Sequence, residues 1–325
     1  MVLLVITILI FLAILIISHE LGHFFTAKKF GVRIDEFGFG LPPRVASRKI
    51  GETKFSLNIL PIGGFVKIHG QQREEGIEEP HRAFINQPIW RRAVILTSGV
   101  AANFLIGWIA LGLVFSMGIP SKLFIAQVIP GSAAQTAGLK VNESIAGWNS
   151  SEEFISFVQA HRGESITVNN KTVSVPQEGI IGVRIEVFSV PKENFPKSAV
   201  KGFEAAVGVT VGVAKAAGQI IAGALSGEED GLRQVSGPVG IFNIIKEADG
   251  AGLLIYLLGV ISLNLAVFNL LPVPALDGGH LLLLGIEKII GRPIPRRAET
   301  VANAIGFALL ILLIIMVTYK DIAKL

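Results

Sequence analysis

The chain has no cysteine. That absence excludes a disulfide scaffold, a thiol nucleophile, a cysteine-ligated zinc finger and an iron–sulfur cluster, so any metal site must be built from histidines and carboxylates. Charge is scarce as well, with Asp, Glu, Lys and Arg at 17% of 325 residues against 51% apolar ones. So little charge, together with 20 Phe, excludes a disordered chain. The 36 Gly follow no triplet period, which excludes a collagen. What remains is a membrane protein, as the mean hydropathy of +0.60 also indicates. The net charge of +4 does not point to nucleic acid, because Lys and Arg flank apolar runs instead of interleaving with aromatics on one face. No nucleic-acid partner is expected.

Residues Val2 to Ser18 carry no charge, and the apolar character continues to Ala27. That is long enough to cross a bilayer. No basic segment precedes the run and no small-x-small cleavage site follows it, so 1–27 reads as a first transmembrane helix and not as a signal peptide. Residues 28–92 are polar with an excess of Lys and Arg, a soluble-side loop. Within it, 54–68 alternates apolar residues about Pro61-Ile62-Gly63-Gly64 and reads as a β-hairpin, too apolar to be fully exposed. A second span is expected at 93–117, where Gly99, Ala101, Ala102, Gly107 and Gly112 permit close helix packing. Residues 118–200 form a small strand-rich inserted domain. Residues 201–250 hold an amphipathic helix and a linker; Glu204 and Lys215 favour a surface-lying helix at 203–225, with a fifth span as the alternative. A third span, 251–286, must bend or break at its Pro and Gly residues. A basic loop at 287–300 leads to a fourth span at 301–319. Both basic loops fall on one side, which the positive-inside rule assigns to the cytoplasm; both termini and the small domain then lie outside.

His19-Glu20-Leu21-Gly22-His23 is a literal H-E-x-x-H. On a helix its spacing puts both imidazoles on one face with Glu20 beside them, the pattern of a zinc site with a general base. Such groups are costly in an apolar span and functional by default, the plain alternative being an interfacial cluster that anchors a helix end. A catalytic zinc needs a third protein ligand. Asp277 is the acid inside another apolar stretch, and a membrane-embedded carboxylate wants a cation; an Asx turn or helix cap is its plainer use. His280 competes for the same role. His69, His81 and His161 sit in polar stretches and are expected at the surface.

These motifs resemble the intramembrane site-2 proteases, in particular the bacterial regulator of sigma-E protease branch. His19 to His23 is similar to that family's zinc motif, and Asn269 to Gly279 to its N-x-x-P-x-P-x-L-D-G-G motif, in the first and third spans. The Phe39-Gly40-Leu41-Pro42 segment, the Ser236-Gly237-Pro238-Val239-Gly240 turn and the order of spans agree too. The resemblance implies a polytopic α-helical protein with four transmembrane helices, a membrane-reentrant β-hairpin and one PDZ-like α/β domain. It implies one Zn²⁺ held by His19, His23 and Asp277, with Glu20 as the catalytic base. Asn269 and Asn264 would contact the substrate backbone, and Ile59, Gly63 and Gly64 of the hairpin would receive the unwound substrate as an added strand. Substrates would be single-span membrane proteins already shortened by another protease, such as anti-sigma factors, or remnant signal peptides. In the PDZ-like segment, Gly138-Leu139 fits the pattern, whereas Asn142-Glu143 stands where Gly-Asp is usual. A metal or proton transporter has no use for a Glu between two ligands, and an inert scaffold would not keep all four catalytic residues.

Overall fold

The computed structural model describes residues 2–71, 77–148, 150–226 and 250–323. The Ser236–Gly240 turn and most of the linker before 250 lie outside the described residues. In chain order the helices and strands are α1 (Val2–Lys29), β1 (Ile34–Ile50), β2 (Thr53–Ile68), α2 (Ile89–Met117), β3 (Ile119–Val128), α3 (Ala133–Thr136), β4 (Ser144–Ile145), α4 (Ser151–Ala160), β5 (Ser165–Val168), β6 (Lys171–Ser174), β7 (Val183–Val190), α5 (Lys197–Ser226), α6 (Ala251–Leu270), α7 (Asp277–Ile290) and α8 (Arg296–Ala323). They fall into two compact units, one of Met1–Leu111, Phe203–Phe242 and Leu257–Leu325, the other of Gly112–Gly202 and Asn243–Tyr256.

The first unit holds most of the length of the long apolar helices. Ile6–Lys29, Ile89–Met117, Ala251–Leu270 and Arg296–Tyr319 are long and apolar enough to cross a membrane. α2 starts four residues before the expected 93, because Pro88 supplies the carbonyl that takes the amides of Arg91 and Arg92. The expected third span is divided: α6 ends at Leu270, and α7 starts at Asp277 after a turn in which Pro272 and Pro274 offer no amide. This turn packs directly on α7. A Cβ on Gly278 would run into the carbonyl oxygens of Leu270 and Leu271, and one on Gly279 into that of Val273. The two glycines therefore let the broken strand of backbone lie against the helix start and fix where Asp277 emerges.

The β layer differs from the expected hairpin. Residues 54–57 and 64–67 do not pair with each other; Glu36 to Phe39 of β1 lies between them, facing Lys54 to Leu57 on one side and Lys67 to Gly64 on the other. The far part of β1 pairs with the start of β2, from Ala46 opposite Leu57 to Ile50 opposite Thr53. An alternating pattern specifies which face is apolar but not which strand is the neighbour. The layer packs on α1 through Phe24, whose ring meets those of Phe37 and Phe55 at 5.6 and 5.9 Å.

The second unit has a three-stranded sheet in the order β4-β3-β7, a β5-β6 hairpin and helix α4. Leu123, Ile125, Phe154, Val158, Val173 and Val175 form its buried core. Asn142 has φ 68°, a left-handed conformation that Asn tolerates. Glu143 beside it accepts from the Lys140 amide at 3.0 Å and from the Lys171 ammonium at 2.8 Å.

Candidate metal centre

α1 carries His19, Glu20 and His23, and α7 begins with Asp277. His19 Nε2 and His23 Nε2 lie 3.2 Å apart, and Asp277 Oδ2 lies 3.2 and 3.4 Å from them. His280 is not in this group; its Nδ1 faces a Glu299 carboxylate oxygen at 3.6 Å.

α2 supports the two histidines from behind. The main-chain oxygen of Ile95 lies 2.8 Å from His23 Nδ1. A carbonyl only accepts, so Nδ1 carries the proton, and the neutral ring, the form that binds a metal, then turns its Nε2 lone pair toward Asp277. One turn on is Gly99, where an added Cβ would meet His23 Nε2 and come within 2.7 Å of His19 Cε1. One turn further is Asn103, whose amide is 3.3 Å from His19 Nδ1; the Asn269 amide approaches the same atom at 3.4 Å. Positions 95, 99 and 103 lie on one helical face, so a single stripe of α2 holds both rings. Sequence reasoning assigns Gly99 to helix packing and misses Asn103. Its signal is an amide in an apolar span.

The arrangement suits a cation. Asp277 Oδ2 is buried without a hydrogen-bond partner, and it converges with the lone pair of His23 Nε2 and with His19 Nε2. Acceptors gathered in this way repel one another unless a positive charge joins them, and two imidazoles plus a carboxylate are a donor set that Zn²⁺ takes.

A cavity of about 340 Å³ opens beside these groups, lined by Glu20, Gly64, Phe65, Val66, Asn269 and Asp277 among others. The Val66 main-chain amide faces the Glu20 carboxylate. The cavity shares Phe65, Val66, Ile68, Gln71 and His280 with a second cavity of about 960 Å³, which has Arg33, Asp35, Lys67, Arg296 and Glu299 in its walls. Gly64 and Asn269 thus line the cavity. Asn264, Ile59 and Gly63 are not among its lining residues; Ile59 is exposed, and the space beside Gly63 is taken by Leu41. His69 is not at the surface either. It is buried, with Nδ1 3.2 Å from Asp35 Oδ2, because the end of β2 returns beneath Arg33. His81 is exposed, and His161 is half-buried against the Phe157 ring at 4.3 Å.

The model of peptidase family M50 matches residues 7–313. The chain belongs to peptidase family M50. Relatives extend over nearly its whole length: a Clostridium acetobutylicum protein whose name assigns it to the zinc metalloproteases is 34% identical, covering 98% of this chain and 96% of its own. The zinc metalloprotease RasP of Geobacillus kaustophilus is 28% identical, covering 98% of each chain. The regulator of sigma-W protease RasP of Bacillus subtilis is 27% identical, covering 99% and 98%. The resemblance to site-2 proteases therefore holds, and with it a membrane-embedded zinc metalloprotease as the kind of enzyme.

Proposed function

We propose that this protein hydrolyses peptide bonds within the membrane-spanning segment of single-span substrates. The observation that carries the reading is the convergence of His19 Nε2, His23 Nε2 and Asp277 Oδ2 on one point next to Glu20, at a cavity inside a bundle of apolar helices. His19, His23 and Asp277 would hold the zinc, which when bound supplies a Lewis acid that activates water and polarises a carbonyl. Glu20 takes a proton from the attacking water and hands it to the leaving nitrogen, the two transfers of a general base turned general acid. Asn269 donates to the substrate backbone from the cavity wall.

A helical peptide bond is shielded, so the segment must be extended before it is cut. The 64–68 end of β2 lines the cavity and pairs on its other side with β1, which supports addition of the substrate there as a strand. Membrane substrates also suit the name of the Bacillus relative, a regulator of a sigma factor; anti-sigma factors trimmed by another protease and remnant signal peptides are substrates of this kind. The lipid bilayer is then the protein's solvent. The basic loops 28–92 and 287–300 orient the chain with the metal site toward the cytoplasm and both termini outside. The 118–200 domain, read as PDZ-like, acts as a peptide-binding module or a steric gate that admits shortened substrates.

The test is cleavage of a single-span substrate by purified protein in detergent, with zinc assayed in parallel. Wild type is expected to cut and to hold zinc, and Glu20→Gln to keep the zinc and lose at least about 10²-fold in rate. Equal rates in the two proteins, or wild type without zinc, would refute the reading.

A further inference from the structure

His19 is the one ligand whose supporting hydrogen bond is ambiguous, and the ambiguity can be resolved from its neighbours. With the Asn103 amide placed so that Nδ2 faces His19 Nδ1 at 3.3 Å, Oδ1 faces Ser18 Oγ at 3.2 Å. Two conflicts follow. If His19 offers its Nε2 lone pair to a metal, its Nδ1 carries a proton, and that N–H would point at the N–H of Asn103. The Ser18 hydroxyl, which also lies 3.0 Å from the Leu15 main-chain oxygen, would need its single proton for two acceptors at once.

Turning the amide by half a turn removes both conflicts without moving any other atom, since the two ends of an amide occupy the same volume. Oδ1 then accepts from His19 Nδ1–H, Nδ2 donates to Ser18 Oγ, and the Ser18 hydroxyl gives its proton to Leu15. The His19 Nδ1–H, the Ser18 hydroxyl and one N–H of Asn103 then each meet an acceptor. Asn103 is also held firmly in place, being 1% exposed and having its main-chain oxygen accept from Ser262 Oγ at 2.8 Å.

We propose that Asn103 is a positioning residue for the metal ligand His19, its side-chain carbonyl accepting the Nδ1 proton and so presenting Nε2 to the zinc. This rests on the zinc reading above. The two ligands are then treated alike, with α2 supplying a main-chain carbonyl to His23 and a side-chain carbonyl to His19. Because His19 has one Nδ1 proton and Asn103 takes it, the half-buried Asn269, whose amide nitrogen lies 3.4 Å from the same atom, is not the acceptor that holds the ring.

The experiment measures zinc affinity of full-length variants by competition with a chromophoric chelator, independently of any substrate. Wild type must bind zinc, or the metal-site reading fails and this one with it. Asn103→Leu, of similar size without an acceptor, is expected to weaken zinc binding by on the order of 10–100-fold. Asn103→Asp, which can only accept, is expected to keep wild-type affinity, and Asn269→Leu to keep it too. Should either Asn103 variant fail to fold, Ser18→Ala and Ser262→Ala carry the test. The first frees the side-chain amide and weakens zinc binding; the second touches only the main-chain oxygen and leaves it unchanged. The proposal is overturned if Asn103→Leu binds as tightly as wild type, if Asp loses as much as Leu, if Asn269→Leu loses as much as Asn103→Leu, or if Ser18→Ala and Ser262→Ala behave alike.

Discussion

The two units of this protein both have apolar cores but differ in the polar groups they enclose. In the Gly112–Gly202 part of the second unit, the core cluster is made of apolar side chains such as Leu123, Ile125, Phe154 and Val173, and the ion pair of Glu143 with Lys171 lies at its edge. In the helical unit His23, Asn103, Ser262 and Glu287 are enclosed, while Ile6, Leu9 and Ile10 of α1 and Leu309, Ile311 and Leu312 of α8 face outward. The first arrangement is that of a domain in water. The second suits a bundle in lipid, where outward apolar groups cost nothing and polar groups must find partners inside. Glu287 illustrates the point: it is paired with Arg92 at 2.9 Å and also accepts the Ile294 amide at 3.0 Å. Function follows the contrast, because a bilayer makes interior polar groups rare, and His19, His23, Asn103 and Asp277 gather around one point on α1.

The contrast is broken most severely by filling the small space that lets polar groups meet. Gly99→Ala puts a methyl into the two imidazoles, and zinc affinity measured by chelator competition is expected to fall at least about tenfold, with cleavage falling in parallel. The same change at Gly208 of α5, where nothing lies within 4 Å, is expected to leave both unchanged and to add up to about 1 kcal/mol of helix stability.

A smaller effect sharpens the other side of the comparison. Burial works to raise the Glu143 carboxyl, but the Lys171 ammonium, the Lys140 amide and Asn169 outweigh it and hold it below its ordinary value of 4.5. A depressed carboxylate contributes stability above its unfolded value, and that contribution is lost as the pH falls through the folded one. Trp148 packs in this domain on Phe157 at 4.8 Å and can report it. With Trp90 and Trp108 replaced by Phe, its fluorescence melt is expected to shift downward below about pH 4.5, and Glu143→Gln to flatten that shift. A melt with the same pH dependence in both proteins would remove Glu143 from the account.

Much of the molecule is legible in its sequence because the signals are local. Four apolar runs, H-E-x-x-H at fixed helical spacing and the Pro-x-Pro-x-x-Asp-Gly-Gly turn announce themselves within a few residues, and the helix break falls where Pro272 and Pro274 demand it. Non-local facts are harder to read. Alternation in 54–68 identifies strands but not the insertion of Glu36–Phe39 between their two halves, nor which of its residues line the cavity. His69 reads as a surface residue because its neighbours in sequence are polar, yet its neighbours in space include Asp35 and the Glu78 main chain. Asn264 and Asn269 look equivalent, but five residues on a helix turn one away from the other, and Asn269 is the one at the cavity. Asn103 escapes notice because its partner lies on another helix.

The most direct measurement is the position of the cut. Wild type reconstituted in liposomes with a single-span substrate should yield fragments whose new ends, read by mass spectrometry, lie inside the apolar segment, and Glu20→Gln should yield none of them. Ends confined to the polar flanks, or the same fragments from Glu20→Gln, would contradict an intramembrane protease with Glu20 as its base.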